Sequence, residues 1–198
     1  MKILFLSDPK AYYLKQIPNF LSDYGDKVNV ITRAIDITDI KELNPDYILC
    51  DRYNYILKAD VLEAMGGRAI NLHPSYLPWN KGCRPNFFSI YDQTITGVSI
   101  HQMNKGIDTG DIIVQRKVDY EDEDTLKTSF YKSRTSIINM LFENWLDIKN
   151  QNIRTFSQIE KGSYNSEKKF QQIWPKLIKG WNTTISEVKD LKKSLLNN

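Results

Sequence analysis

The chain has 198 residues, 41% of them hydrophobic and 26% charged, with a formal net charge of +3. This length and balance predict a globular domain with its own hydrophobic core and exclude a disordered chain. Two cysteines, Cys50 and Cys83, and two distant histidines match neither a disulfide framework nor a zinc site. We therefore expect a cytoplasmic protein without metal or nucleic-acid partner. No apolar stretch reaches about eighteen residues, so we expect no membrane partner either.

The first seventy residues alternate short apolar runs with helix-like segments. The predicted strands span residues 2–6, 27–32, 46–50 and 68–72, and the predicted helices span 12–23 and 59–65. This alternation is typical of an α/β fold with a Rossmann-like, mostly parallel sheet flanked by helices, which binds ligands beyond the carboxyl ends of its strands. The turn SDPKAYY contains no glycine, which excludes a dinucleotide fingerprint and a P-loop.

The pattern changes after residue 73. The segment HPSYLPWNKGCRPNFF, with three prolines and a glycine, predicts a long ordered loop instead of a helix. Strands at 97–103 and 111–118 are predicted to be joined by the turn NKGIDTG, and a helix is predicted from about Asp124 to residue 149. Because nine basic and four acidic residues follow residue 150, we expect a main domain at 1–150 and a small basic substructure at 151–198.

Three polar residues are candidates for chemistry. Asn71 and His73 stand where a strand meets the loop, and residues two apart on an extended chain face the same side. An Asn amide can donate to a developing oxyanion, and a neighbouring His can donate or transfer a proton. Asp108, in the turn of the next hairpin, is the candidate for orienting the imidazole. Taken singly, such a His or Asp is more often a structural residue.

Asp108 also begins the tripeptide Asp-Thr-Gly, on which aspartic proteases place a catalytic carboxylate. Such a protease needs two facing copies, because its two carboxylates share one proton. The chain has one copy and would have to dimerise, and this hypothesis leaves Asn71 and His73 without a role. A dimeric aspartic protease is therefore a remote alternative.

Two blocks, AINLHPSYLPWNKGCRPNFFSI and GVSIHQMNKGIDTGDIIVQRKV, carry a family resemblance. In their order of Asn-x-His-Pro-Ser, Leu-Pro, Gly-Val and Asp-Thr-Gly-Asp they resemble the folate-dependent formyltransferases, which act on glycinamide ribonucleotide, methionyl-tRNA or sugar nucleotides. The resemblance implies that Asn71, His73 and Asp108 are catalytic and that residues 1–150 are the catalytic domain. It also implies that 10-formyltetrahydrofolate is the co-substrate.

The resemblance extends to two binding regions. One would hold the folate between a pterin-pocket loop and an opposite wall; its implied residues are Tyr53, Tyr55, Ile56, Leu57, Met103 and Ile107. The other would hold the acceptor, because PWNKG, CRPNFFSI and the later GSYN resemble the sugar-nucleotide branch. Its implied residues are Trp79, Asn80, Lys81, Arg84 and Tyr164.

The expected acceptor is the primary amine of a nucleotide-linked amino sugar, a dTDP-4-amino-4,6-dideoxyhexose for O-antigen or surface polysaccharide synthesis. The expected assembly is a homodimer. The Gly-Ser-Asn-rich turn with which glycinamide ribonucleotide enzymes hold a phosphate is missing. Glycinamide ribonucleotide and UDP-amino sugars remain alternative acceptors. A folate hydrolase with the same three residues and a non-catalytic sugar-nucleotide binding module remain alternative functions.

Overall fold

A computed structural model describes residues 1–11 and 15–196. The strands are β1 (Lys2–Ser7), β2 (Lys27–Ile31), β3 (Tyr47–Asp51), β4 (Ala69–His73), β5 (Lys81–Gly82), β6 (Gly97–Gln102), β7 (Ile112–Lys117) and β8 (Tyr164–Asn165). The α-helices are α1 (Gln16–Asp23), α2 (Ile37–Leu43), α3 (Ala59–Met65), α4 (Pro85–Tyr91), α5 (Leu126–Lys149), α6 (Glu167–Ile173) and α7 (Ile185–Leu196). Short 3-10 turns span Trp174–Lys176 and Gly180–Asn182.

Six strands form one sheet in the order β2-β1-β3-β4-β6-β7. The pairs β1–β2, β1–β3 and β3–β4 are parallel. Strands β6 and β7 form a hairpin, in which Gln102 N donates to Asp111 O at 2.8 Å and Val118 N donates to Thr96 O at 3.2 Å. Strand β3 is buried at every position, as expected for a parallel strand covered on both faces. The predicted α/β fold with a mostly parallel sheet is confirmed.

The chain divides into two compact units, each assembled from three separate stretches. The first unit comprises residues 1–72, 100–113 and 141–157, and the second comprises 73–99, 114–140 and 158–198. Each unit has a core cluster of its own. The first includes Leu4, Ile48, Cys50, Val61 and Met65, and the second includes Phe87, Phe88, Leu126, Phe170 and Val188. The predicted separate substructure at 151–198 stays a prediction.

The predicted loop at 73–88 is wrong at its end, because helix α4 begins there. Pro85 occupies the first helical turn, where its missing N–H costs nothing and its fixed φ suits the helix. All of the remaining α4 side chains, from Asn86 to Tyr91, are buried. The burial of this aromatic run supplies the packing that stabilises so short a helix.

Other predicted elements agree closely with the structure. Helix α3 has the predicted bounds, and α5 begins at Leu126 after Thr125, whose Oγ1 accepts a hydrogen bond from Thr128 N at 3.1 Å. The predicted helix 12–23 is observed from Gln16, and its first three residues lie outside the described part. Helix α2 was not predicted.

Among the described helices, none combines the length and apolarity needed to cross a bilayer.

Candidate active site

Strand β4, inside the main sheet, carries Asn71 and His73 near its carboxyl end. Asn71 is in register with Cys50 of the parallel strand β3. Because side chains alternate along a strand, Asn71 and His73 project from the same face of β4. The strand therefore presents both polar side chains where an open α/β sheet binds its ligands.

The turn between β6 and β7 carries Asp108 and is held by the side chain of Asn104. Asn104 Oδ1 accepts hydrogen bonds from Gly106 N at 3.0 Å and from Thr109 Oγ1 at 2.7 Å. At the foot of the turn, Ser157 Oγ donates to Asp111 Oδ1 at 2.9 Å. Thr109 and Asp111 are thus bound within the turn and to its neighbour, which explains their presence without a catalytic role.

Asp108 has an unusual backbone conformation, with φ of 52° in the left-handed region. Asp tolerates this region better than most residues. Gly110 has no such φ, but a Cβ there would lie 1.9 Å from Gln102 O. Glycine is therefore required at 110 by the close approach of the β6 backbone, while the sharp bend of the turn is made at Asp108 itself.

The structure brings Asn71 and Asp108 together. Asn71 Nδ2 donates to Asp108 Oδ1 at 3.4 Å, and the Asp108 side chain is 14% exposed. A third residue, His101 on β6, joins them: its Nε2 lies 3.3 Å from Asn71 Nδ2 and 3.5 Å from Asp108 Oδ1. His101 received no role from the sequence, although a polar side chain inside the buried strand GVSIHQ was a signal that could have singled it out.

His73 is buried, with 4% exposure, and its contacts define its proton arrangement. Its Nε2 lies 3.1 Å from Asn80 O, and both residues belong to the second unit. A carbonyl oxygen only accepts hydrogen bonds, so Nε2 carries a proton and the neutral ring has its lone pair on Nδ1. Nδ1 is therefore the His73 atom that can accept a proton.

The loop after β3 holds four of the residues implied in folate binding. Tyr53 donates through its hydroxyl to Arg33 O at 2.8 Å and accepts from Ile35 N at 3.2 Å. Burial raises the pKa of Tyr53 to about 12, so this hydroxyl stays protonated at neutral pH. Tyr55, whose ring centroid lies 5.3 Å from that of Tyr53, is half-exposed.

The rest of this loop and the facing turn differ in exposure. Ile56 is 82% exposed and Ile107 is 47% exposed, whereas Leu57 is buried in the core of the first unit. Met103, like Tyr53, packs partly buried against that core. The first unit therefore presents exposed apolar side chains on two loops, at Tyr55–Ile56 and at Ile107. The neighbouring residues Leu57 and Met103 pack into or against the core.

In the second unit, β5 and β8 bring the implied acceptor-binding residues together. Lys81 is paired with Tyr164 in this two-stranded parallel sheet, and Tyr164 is 58% exposed. Lys81 Nζ donates to Lys161 O at 3.2 Å. The loop before β5 is held by Ser75 Oγ, which donates to Trp79 O at 2.7 Å.

Asn80 and Arg84 flank this strand and differ in what their side chains contact. Asn80 is fully buried: its Nδ2 donates to Thr94 Oγ1 at 2.6 Å and its Oδ1 accepts from Asn165 Nδ2 at 3.1 Å. It therefore ties the loop to β8. The guanidinium of Arg84 lies 4.9 Å from the Phe170 ring centroid, and its side chain is 45% exposed.

Comparisons with known proteins identify the family of the chain. A family model described as formyl transferase matches residues 17–142, more than half of the chain. Methionyl-tRNA formyltransferase of Ehrlichia ruminantium (strain Gardel) is 42% identical over 90 residues, which cover 45% of this chain and 30% of that protein. The bifunctional polymyxin resistance protein ArnA of Wigglesworthia glossinidia brevipalpis is 36% identical over 132 residues, which cover 66% of this chain and 19% of that protein. The chain thus spans less than a third of these curated relatives.

Solved structures match over more of their length. The formyltransferase PseJ from Anoxybacillus kamchatkensis, in complex with UDP-4,6-dideoxy-4-formamido-L-AltNAc and tetrahydrofolate, has a TM-score of 0.89 and 37% identity, covering 95% of this chain and 97% of that one. A sugar N-formyltransferase from Shewanella sp FDAARGOS_354 shares the fold, with a TM-score of 0.79 and 21% identity. The match covers 97% of this chain and 87% of that one. The chain therefore belongs to the formyl transferase family.

Proposed function

We propose that this protein transfers the formyl group of 10-formyltetrahydrofolate to the primary amine of a nucleotide-linked 4-amino-4,6-dideoxy sugar. The observation that carries the proposal is the 37% identity to PseJ over nearly the whole of both chains. The hydrogen-bond contact between Asn71 and Asp108 supports it, because formyl transfer needs donors and a proton acceptor at the reacting carbonyl.

The reaction forms a bond between the amine nitrogen and the formyl carbon, and it breaks the bond from that carbon to the folate nitrogen. The intermediate is tetrahedral, with negative charge on the formyl oxygen. We assign donation to this oxygen to the Asn71 amide and to the His73 imidazolium, which forms when Nδ1 takes up a proton from the amine. Asp108 stabilises the His73 imidazolium and helps the amine proton to reach the departing folate nitrogen.

We assign folate binding to the first unit. Tyr53 and Leu57 support the loop from within, while Tyr55 and Ile56 offer exposed apolar surface to the pterin ring. Met103 and Ile107 form the opposite wall in this proposal. The main-chain amides and carbonyls of the loop would read the polar edge of the ring.

We assign acceptor binding to the second unit. Lys81 and Arg84 supply positive charge for a pyrophosphate, and Trp79 and Tyr164 supply aromatic faces for a pyrimidine. The position of Lys81 beside Tyr164 supports this assignment. Asn80 acts as the tether that holds the loop to β8.

Two nucleotides are candidates for the acceptor. The sequence motifs led to a dTDP-linked sugar, and that acceptor stays a prediction. The PseJ structure contains a UDP-linked 4-formamido sugar, which favours a UDP-linked 4-amino-4,6-dideoxy sugar for this chain. We therefore place the UDP-linked acceptor first and the dTDP-linked acceptor second.

A single assay distinguishes these functions. The purified protein is incubated with 10-formyltetrahydrofolate and, in separate reactions, a UDP-linked amino sugar, a dTDP-linked amino sugar, glycinamide ribonucleotide or no amine. Release of tetrahydrofolate and the mass of the formylated product are measured. We expect turnover with the UDP-linked sugar. Activity with glycinamide ribonucleotide alone would reject the sugar acceptor, and release without any amine would indicate a folate hydrolase.

The assembly and the biological role of the protein are also proposals. We propose a homodimer whose product enters surface polysaccharide synthesis, such as that of an O-antigen. Light scattering across a range of concentrations measures the assembly directly. A monomer at all concentrations would reject the homodimer without affecting the proposed reaction.

A further inference from the structure

His101 is a buried histidine whose tautomer is set by the main chain. Its side chain is 2% exposed, and its Nδ1 lies 2.7 Å from Gln102 O. Because a carbonyl oxygen accepts hydrogen bonds and cannot donate them, Nδ1 carries a proton. In the neutral ring, Nε2 then has the lone pair and can act only as an acceptor.

The other side of the ring completes a consistent arrangement of protons. Nε2 of His101 lies 3.3 Å from Asn71 Nδ2, and Asn71 Nδ2 lies 3.4 Å from Asp108 Oδ1. The two neighbours of Nδ2, His101 Nε2 and Asp108 Oδ1, are 3.5 Å apart. Both neighbouring atoms are acceptors when His101 is neutral and Asp108 is ionised. Because these two acceptors lie close together, one of the two Nδ2 hydrogens can point between them, and the other is left for the formyl oxygen. Turning the amide over would place its oxygen against two acceptors and break both contacts.

This arrangement matters because Asn71 can stabilise an oxyanion only through its Nδ2 hydrogens. The reversed amide would present lone pairs to the growing negative charge. Asp108 alone cannot secure the amide throughout the reaction, because in the proposed function it takes part in moving a proton. The lone pair of His101 is held in place by a main-chain carbonyl, which does not titrate.

We propose that His101 is a positioning residue of the formyl-transfer site, which as its Nδ1-protonated tautomer holds the Asn71 amide with Nδ2 available to the formyl oxygen. This inference rests on the proposed function. It adds a second histidine, with the opposite tautomer, to the one on β4: His73 carries its proton on Nε2, towards Asn80 O.

Two substitutions test whether an acceptor atom at the place of Nε2 is enough to hold Asn71, or whether the whole His101 ring is needed. In His101→Gln the side-chain oxygen can occupy the place of Nε2 and accept from Asn71. In His101→Asn the shorter amide reaches only the place of Nδ1, so it can donate to Gln102 O but cannot hold Asn71. We expect His101→Asn to lower kcat about 10- to 100-fold with little change in either KM, and His101→Gln to keep most of kcat.

Thermal unfolding of both variants provides the control for folding. Equal losses of kcat in both variants, or an unchanged kcat in His101→Asn, would overturn the inference. An effect on KM alone would also overturn it, because positioning of an oxyanion donor acts in the transition state.

The tautomer can be tested without any activity. The chain has two histidines, so a long-range proton–nitrogen NMR spectrum of labelled protein contains two rings, and the His101→Gln spectrum identifies the His73 signals. We expect one ring of each tautomer at neutral pH, with His101 protonated on Nδ1. A proton on Nε2 of His101 would overturn the inference even in an active enzyme. If no acceptor is turned over, the proposed function fails and this spectrum still decides the tautomer.

Discussion

Gly82 lies so close to Asn165 that no side chain fits between them. A Cβ at Gly82 would stand 2.6 Å from Asn165 O and 2.7 Å from the Tyr164 ring, and the φ of Gly82 is +85°. Glycine is therefore required at this position both by backbone conformation and by the contact between β5 and β8.

Gly82→Ala should lower the free energy of unfolding by about 2 to 4 kcal/mol, since the left-handed φ costs about 1 and the overlap a further 1 to 3. Gly25→Ala is a matched control, because Gly25 has a φ of +80° and a Cβ there meets no atom within 4 Å. Urea denaturation measures both. If the two variants lose equal stability, the close contact at Gly82 is not what restricts the position.

Asp108→Asn should lower turnover about 100- to 1000-fold while leaving stability nearly unchanged. Asn tolerates the left-handed φ of 52° observed at this position, so the substitution removes the charge without straining the turn. Asp111→Asn, in the same hairpin, is the control and should retain activity. Steady-state kinetics and thermal unfolding decide the outcome; near wild-type turnover in Asp108→Asn would remove Asp108 from the mechanism.

Asp26 is a buried carboxylate with three donors in the first unit. Its Oδ2 lies 2.8 Å from Trp145 Nε1, and its Oδ1 lies 2.9 Å from the Met1 amino group and 3.2 Å from Lys149 Nζ. Burial opposes the charged form, but the hydrogen bonds from Met1, Trp145 and Lys149 outweigh it and lower the pKa of the Asp26 carboxyl.

Asp26→Asn should therefore lower the free energy of unfolding at neutral pH by about 3 kcal/mol. Because the folded-state pKa is lowered, the unfolded chain binds the proton more tightly. The stabilisation is present above the ordinary Asp pKa of about 4 and is lost as pH falls through the folded value. The gap between wild type and Asp26→Asn in urea denaturation should shrink towards acid pH. Exposed Asp23, changed to Asn, is the control; a gap independent of pH would contradict the prediction.

Ile56→Ser and Ile107→Ser should raise the KM for 10-formyltetrahydrofolate about fivefold each, since each removes roughly 1 kcal/mol of apolar burial on binding. Stability should change little, because both side chains are exposed in the structure. Ile159→Ser, at a residue 97% exposed in the second unit, is the control. An equal effect of all three on KM would show that the two loops do not contact the folate.

Much of the sheet could be predicted because its signals are local. Apolar runs placed β1 to β4 within about one residue of their observed ends. The buried strands β1, β3 and β4 read as short hydrophobic segments, and the exposed edge strand β2 was predicted by the run KVNVIT. The helical spacing of Leu126, Phe130, Ile137, Leu141 and Trp145 likewise predicted α5. All of these side chains are buried except Phe130, which is partly exposed. These elements depend on patterns that a short window of sequence contains.

Four described helices, α2, α4, α6 and α7, were not predicted from the sequence, and the first two show why. At α2, Asp36 accepts from the amides of Thr38 and Asp39, and the Asp39 carboxylate accepts from Asp36 N. At α4, Pro85 follows two other prolines in a segment that reads as a loop, although proline is also favoured in a first helical turn. The apolar spacing of such seven-residue helices is too short to be distinctive.

The site itself was predicted only in part. Motif resemblance selected Asn71, His73 and Asp108, and the structure brings Asn71 and Asp108 into contact. The catalytic role of all three stays a prediction. His101 stands thirty residues after Asn71, and its role depends on the pairing of β6 within the sheet. A contact made by strand pairing leaves no local pattern in the sequence.

The pairing of β5 with β8 joins two segments that are far apart in the sequence. Mutations in these two segments arise independently. Asn80 and Ser163, 83 residues apart, share a hydrogen bond, and Asn80 also binds Asn165. A residue change in one segment must be compatible with the other for β5 and β8 to stay paired. Among related proteins, positions 80–82 and 163–165 should therefore covary, and shifts in acceptor preference should arise through paired replacements.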